Sequence, residues 1–387
     1  MVLDERWILL IYFALKPFYF FESGLPQLSD MFLFVMIIYL LLRNRGMVTI
    51  PKKAFRWVTV FAFTLLYQIL IDIIWTGITG DQKMLVNAMH YVFNFLAAVL
   101  CIIIGNRIGA KQLVRTITEG CFLCALIIGI GLVLNTNGGI RRTGFFNNPN
   151  QLGYFALILM SCLLLFEKEL TVTKKLIILG ITLIASLISL SKASIIGMGG
   201  LAVFYTLFGN PGMSKRKMLF QAALILFVCI LAYWILFSNN QMILGNRTLS
   251  LLRSRLLNMS SENDSSLGSG RGYSRVFEMG VNFFWGMGEG AYRRFISLPG
   301  REVHSTYINL LVSYGLICML TYFWILLKPL IDGKNTLRNL ACFSGIFLYF
   351  FVHNGVRNTL LWIIIAAVLQ VSISHTKKTS GNTVMQK

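Results

Sequence analysis

Charge is what this sequence has least of. Only 13% of its 387 residues are Asp, Glu, Lys or Arg, against roughly 25% in soluble domains, which excludes an ordinary water-soluble enzyme. Acids are the rarer sign, 15 against 35 Lys and Arg, leaving a formal net charge of +20. The basic residues lie between apolar runs and form no single clustered face, so no nucleic-acid partner is expected. Cysteine chemistry is missing too. All seven cysteines fall inside apolar runs, and Cys121-x-x-Cys124 has no second CxxC at metal-site spacing, so neither zinc nor disulfides are expected. The pattern of a cleavable leader is absent: residues 1–6 carry two acids and one base, and the next apolar run leads straight into others.

Apolar sequence fills the place of the missing charge. Hydrophobic residues make up 56% of the chain, with a mean hydropathy of +0.70. Runs suited to a ~30 Å hydrocarbon core recur from end to end. Read between charged breaks, they are 7–21, 29–42, 57–76, 87–105, 116–134, 151–166, 176–190, 193–209, 218–237, 304–327, 340–352 and 356–374. They predict an all-α polytopic membrane protein of about twelve transmembrane helices. Residues 1–237 hold nine spans with short loops, 238–303 form one large outer loop, and 304–387 hold three spans and an inner tail. Stretch 176–209 is broken only at Ser191 and Lys192. Since both its flanks look inner, the chain is expected to cross twice through a tight outer hairpin with Lys192 at the tip.

Basic residues orient the spans. With the N-terminus inside, 21 of the 35 Lys and Arg fall on inner segments and 14 on or near the outer side, eight of them in the long loop. Long loops translocate largely regardless of charge, so the comparison that matters is 21 inside against six outside. Both termini are therefore expected in the cytoplasm. The long loop carries Arg247, Arg253, Arg255, Arg271, Arg275, Arg293, Arg294 and Arg301 and no lysine, beside Glu262, Asp264, Glu278, Glu289 and Glu302. Arginine offers a planar fork of donors that matches phosphate oxygens; a solvated loop touching anionic headgroups is the plainer alternative. Of the outer histidines, His90 and His353 read as structural, whereas His304 closes the arginine-rich loop where a helix re-enters the membrane. A second outer loop, residues 135–153, contains Gly-Gly and Asn-Pro breakers, with Arg141 and Arg142 at its middle. Its amides and arginines suit sugar or phosphate, or the capping of the helix that follows.

Four stretches in order then carry a resemblance. Arg142-Thr-Gly-Phe-Phe-Asn-Asn-Pro-Asn-Gln-Leu-Gly153 resembles the R-x-G-x-F-x-N-P-N-x-L-G segment of the O-antigen polymerase and O-antigen ligase superfamily. Leu190-Ser-Lys-Ala-Ser194 resembles its S-[RK]-[AGS] outer turn. Gly268-Ser-Gly-Arg-Gly272 with Trp285-Gly-Met-Gly-Glu-Gly290 resembles its S-G-R…G-x-G loop. His304-Ser-Thr-Tyr-Ile-Asn-Leu-Leu-Val-Ser-Tyr-Gly315 resembles its H-[NS]-x-[YF]-[IL]-x-x-L-x-x-x-G helix start. The likeness spans roughly residues 140–330. Arg142…Gly153 and Arg275…Gly286 also fit the R-x10-G pattern of some polymerases, although 33 glycines make such matches cheap.

The resemblance implies a GT-C-like enzyme of the bacterial inner membrane with its active site facing the periplasm. Its substrate would be an undecaprenyl-diphosphate-linked oligosaccharide, its surroundings membrane lipid, and a chain-length regulator protein a candidate partner. Polymerisation onto an acceptor sugar hydroxyl is the first reading, ligation to lipid A-core the alternative, and a lipid-linked oligosaccharide flippase a reading of another class. No cofactor and no metal are expected, since no D-x-D or His/Asp cluster occurs in the outer loops. By motif position, Arg271 and His304 are the candidate catalytic residues. Lys192, Arg142, Arg141, Arg275, Asn150 and Glu302 are candidates for binding the diphosphate and glycan, with His304 or Glu302 as base. Lysine at 192, where arginine is commoner, meets phosphate as a point charge and not as a fork.

Overall fold

In the computed structural model every regular element among the described residues is helical; these residues are 4–22, 25–134, 141–210, 272–295, 303–333 and 335–384, with scattered positions between 212 and 254. The helices are α1 (Glu5–Leu15), α2 (Leu28–Arg43), α3 (Lys52–Thr79), α4 (Lys83–Ile108), α5 (Ala110–Leu134), α6 (Pro149–Leu165), α7 (Val172–Ser189), α8 (Lys192–Phe208), α9 (Thr306–Ile331), α10 (Thr336–Val352) and α11 (Thr359–Val384), besides short helical turns between residues 167 and 169 and between 273 and 294. Each coincides with one apolar run of the sequence. Most of the predicted span 218–237 and most of the large loop lie outside the described residues. Helices α3, α4, α5, α7 and α9 are long and apolar enough to cross a membrane, while α6, α8, α10 and Thr359–Ser374 of α11 are shorter apolar helices.

Local chemistry sets the helix ends. Asn148 caps α6 by accepting from Gln151 N at 2.9 Å, and Pro149 opens the helix, where its missing N–H costs nothing. Gly80 closes α3 in the left-handed conformation. Two boundaries differ from the sequence reading. The run 7–21 yields a helix only to Leu15, because Pro17 has no N–H to continue it. The 176–209 hairpin turns at Leu190, whose φ is 50°, so Lys192 is the first residue of α8 and not the tip.

Helix α11 explains how the bundle is centred. Residues Leu360 to Ala367 are apolar on every side and at most 1% exposed, as a helix surrounded by others requires. It packs on α3, α4, α5, α6 and α9. Trp362 meets Phe61 at 4.8 Å and Tyr322 at 5.2 Å between ring centroids. At the rim the pattern reverses: Phe63, Leu66, Leu70, Ile73 and Ile78 of α3 are exposed, an apolar belt suited to lipid. Buried hydroxyls turn onto their own helices, as Thr64 does to Val60 and Ser161 to Leu157.

The two ends of the bundle differ. At one, Glu5 pairs with Arg107, and Arg338 donates to Glu167 at 3.0 Å and to the Leu164 carbonyl at 2.8 Å. The other end gathers the loops that follow α1 and α10 and those that precede α2, α6, α9 and α11.

Candidate functional site

At that second end the chain encloses a cavity of about 250 Å³. Among the described residues its wall comes from six separate stretches. Lys16 and Tyr19 follow α1, residues 25–30 open α2, and His90 and Phe93 lie in α4. Asn148, Asn150, Gln151 and Tyr154 open α6, His304 precedes α9, and residues 349–359 run from the end of α10 into α11. Four helices, α2, α6, α9 and α11, therefore present their N-termini to one space, and two, α1 and α10, their C-termini. Each N-terminus carries roughly half a positive charge, and Lys16 sits at one of the opposing ends. The lining residues that carry formal charge are Lys16, Arg357 and Asp30, a balance of +1 with the histidines neutral.

Each charged group is held. Lys16 Nζ is 2.9 Å from Asp30 Oδ1 and 2.6 Å from Thr359 Oγ1, while the Thr359 hydroxyl donates to Asp30 Oδ1 at 2.7 Å. Asp30 Oδ2 accepts from Gln27 N at 3.0 Å. A buried ion pair needs such extra hydrogen bonds to offset desolvation. Arg357 reaches Glu289, itself 2% exposed, at 3.1 Å. Aromatic and amide groups complete the wall. Tyr154 stacks on Tyr349 at 4.3 Å, Tyr349 on His353 at 5.0 Å, and the His353 and His304 rings lie 6.2 Å apart.

The anchoring of Glu289 shows why the loop folds as it does. Gly315 breaks α9, with φ 77° and ψ 175°, a conformation closed to other residues. Around the break, the Val312 and Ser313 carbonyls accept from Met287 N at 3.0 and 3.1 Å, and Ser313 O also from Gly288 N at 2.7 Å. Helix α3 holds the rest: Tyr67 donates to Trp285 O at 2.9 Å and Trp75 to Gly286 O at 3.2 Å, while Asp72 accepts from Glu289 N at 2.6 Å and Tyr314 OH at 3.0 Å. Irregular backbone is tolerated at membrane depth only when buried in protein in this way.

The candidates named from sequence divide into three groups. His304 and Asn150 line the cavity. Arg141 donates to Asn150 Oδ1 at 2.7 Å and to Ser189 O at 2.9 Å, so it braces the wall from behind. Arg142 donates to Leu132 O at 2.8 Å, Lys192 opens α8, and Arg275 is 1% exposed over the Phe295 ring; these three do not line the cavity. Arg271 and Glu302 lie outside the described residues. Arg293 and Arg294 staple the loop to α3 and α4, Arg293 to Asp81 at 2.9 Å and Arg294 over Trp75 at 5.1 Å. Burial lowers the Arg294 pKa against the pull of Asp81 and Asp72. Among the described residues no group of three or more His, Cys, Asp or Glu could hold a metal ion.

Sequence reasoning missed Lys16, Asp30, Arg357 and the roles of His90 and His353 in the wall. A signal for two of them was present. Lys16 and Arg357 belong to the six cations outside the long loop that the sequence reading expects on the outer side without an orienting task. The chain matches no family model and no curated protein sequence.

Proposed function

We propose that the protein is a glycan transferase of O-antigen polymerase type, acting on an oligosaccharide carried by undecaprenyl diphosphate. The observation that carries the reading is the convergence of four helix N-termini, Lys16 and Arg357 on one cavity at the bundle's end. Such an arrangement favours anions without a metal. It suits a diphosphate leaving group, whose charge develops as the anomeric bond breaks, and preorganised charge of this kind is usually the largest catalytic contribution. Asn148 and Asn150, whose side-chain oxygens accept from Gln151 N and Arg141, turn amide N–H donors to the wall that suit sugar hydroxyls. The Tyr154–Tyr349 stack offers aromatic faces for a sugar's C–H surface.

In this reading the chain has about twelve spans and a GT-C-like arrangement in the bacterial inner membrane. Both termini are cytoplasmic and the cavity opens to the periplasm. The lipid tail enters from the bilayer, His304 orients the acceptor hydroxyl at the cavity wall, and Arg271 approaches the diphosphate from the large loop. The test is reconstitution of the purified chain in proteoliposomes with undecaprenyl-diphosphate-linked oligosaccharide. A ladder of longer glycans, insensitive to EDTA, is expected. Transfer only onto lipid A-core makes the protein a ligase, and movement of glycan across the bilayer with no new glycosidic bond refutes the transferase.

A further inference from the structure

The chain before α9 dips into the bundle and comes out again. Tyr273 holds its start at the bundle's end, donating to Phe351 O at 2.7 Å, with Ser305 Oγ 3.2 Å away. Arg293 holds its return at the same end, on Asp81, just beyond α3. Between these anchors the backbone runs deep. Trp285 O accepts from Tyr67, Gly286 O accepts from Trp75, and Glu289 N donates to Asp72. At 1.5 Å per helical residue, Tyr67, Asp72 and Trp75 lie about 18, 10 and 6 Å along α3 from its last residue, Thr79. Helix α9 gives an independent measure. The Phe284 carbonyl packs so closely on Gly315 that a Cβ there would meet it, and Gly315 lies about 13 Å along α9 from Thr306. Both spanning helices place residues 284–288 well inside their ends.

The packed face and the open face of this segment are both apolar. Met279, Ala291 and Phe295 form a small core with Leu311 and Val312 of α9. By contrast Phe277, Val281, Phe284 and Trp285 are 90, 79, 52 and 56% exposed, and none lines the cavity. At the same levels the two helices expose Phe63, Leu66 and Leu70 of α3 and Ile317 and Leu320 of α9, so the open face continues the apolar belt. Lipid accepts such a face only where the backbone is satisfied. Here the amides of Asn282, Phe283, Phe284 and Gly286 donate to Met279, Gly280, Val281 and Asn282 carbonyls, and those of Met287 and Gly288 to α9. From 276 to 288 the only charged residue is Glu278, toward the shallow start.

We infer that residues 277–285 are a re-entrant membrane segment, its Phe277, Val281, Phe284 and Trp285 side chains lying among the lipid acyl chains of the leaflet at the cavity end. The apolar run 276–287 is too short to span and has the length of re-entrant and interfacial segments. An exposed apolar patch of this kind marks a membrane or protein contact, and its depth and its continuity with the belt select the membrane. The bilayer then presses the loop onto α3 and α9, and through Glu289 it keeps Arg357 at the cavity. None of this depends on the reaction catalysed.

The test uses the full-length protein in liposomes. A lipid-soluble carbene precursor is photolysed with the wild type, and the tryptic peptide that begins after Arg275 and ends at Arg293 or Arg294 is sequenced by mass spectrometry. Adducts within 277–285 are expected; their absence, while α3 peptides carry them, overturns the inference. Nitroxides at Val281→Cys and Phe284→Cys then distinguish lipid from protein cover, with Leu70→Cys as the lipid reference and Asp81→Cys as the water reference. The described native cysteines are buried, and the unsubstituted protein supplies the background. Dissolved oxygen reaches a label in hydrocarbon and a water-soluble nickel chelate does not, so the ratio of oxygen to nickel collisions is expected to match that at Leu70→Cys. A ratio matching Asp81→Cys puts the segment in water and overturns the inference. Few collisions with either reagent put a protein surface over the patch and overturn it too. Only variants with the wild-type thermal midpoint are compared, and the carbene result needs no substitution.

Discussion

Replacing Gly315 or Gly286 by alanine should undock the loop from the broken helix. Both residues have φ near +80°, at 77° and 85°. Holding alanine there costs roughly 1–3 kcal/mol. The added Cβ would also run into backbone, the Phe284 carbonyl at 315 and the Ser313 carbonyl at 286, and backbone cannot swing aside as a side chain can. The protein's other course is to let residues 284–288 lift off. That loses the Met287 and Gly288 amide bonds to α9 and the Tyr67 and Trp75 bonds to the loop. At ~1 kcal/mol each, release costs about 4 kcal/mol. The cheaper course sets the effect, so each single variant should lose about 3–4 kcal/mol. Release happens only once, so the double variant should cost little more than either single change, a coupling of about 3 kcal/mol. Denaturant and thermal midpoints of the detergent-solubilised protein would measure this, with protease cleavage after Arg293 or Arg294 reporting the lifted loop. Additive losses, or unchanged midpoints in both single variants, refute the docking argument.

Two other perturbations test separate parts of the structure. Lys16→Met should destabilise by ~3–5 kcal/mol, because it strands the buried Asp30 charge, and adding Asp30→Asn should recover most of that loss; a double variant no more stable than Lys16→Met contradicts the pairing. Single cysteines placed at Asp81 and Lys111, at opposite ends of the bundle, should label in intact cells with an impermeant maleimide only at Asp81; labelling at Lys111 reverses the orientation read from the basic residues.

The helices were legible because lipid imposes long apolar runs, which sequence shows directly. Their ends were legible where a cap was in the sequence, as at Asn148-Pro149, and misread where one residue acts alone. Pro17 stops α1 six residues before its apolar run ends, and Leu190 takes the turn that the charge of Lys192 had suggested for itself. The candidate site was harder. Asn150 and His304 could be singled out because each lies in a motif, but Lys16, His90 and Arg357 are separated by up to 341 positions, the interval from 16 to 357, and only folding brings them to one wall. Single histidines in apolar helices look alike in sequence whether or not their second nitrogen has a partner. For His90 the distinguishing fact is the Asn87 carbonyl at one ring nitrogen and, among the described residues, no partner at the other.

Arginine abundance at this end of the molecule does not by itself mark chemistry. Arg142 is committed to a backbone carbonyl, Arg293 to a carboxylate, and Arg294 to the Met287 carbonyl and the Trp75 ring. Their guanidiniums tie loops that have no regular hydrogen-bond ladder of their own, a task suited to five donors on one planar group. Lys16 and Arg357 differ in that each joins a carboxylate on one side and faces the cavity on the other. The carboxylate fixes the cation's position before any ligand arrives, so little rearrangement accompanies the arrival of negative charge. Glu289 therefore connects the two features of this end. It is held by Asp72 beside the break in α9, and it holds Arg357 at the cavity. A cation placed from behind by a buried acid, which is itself placed by a broken helix, keeps its position only while the loop stays docked.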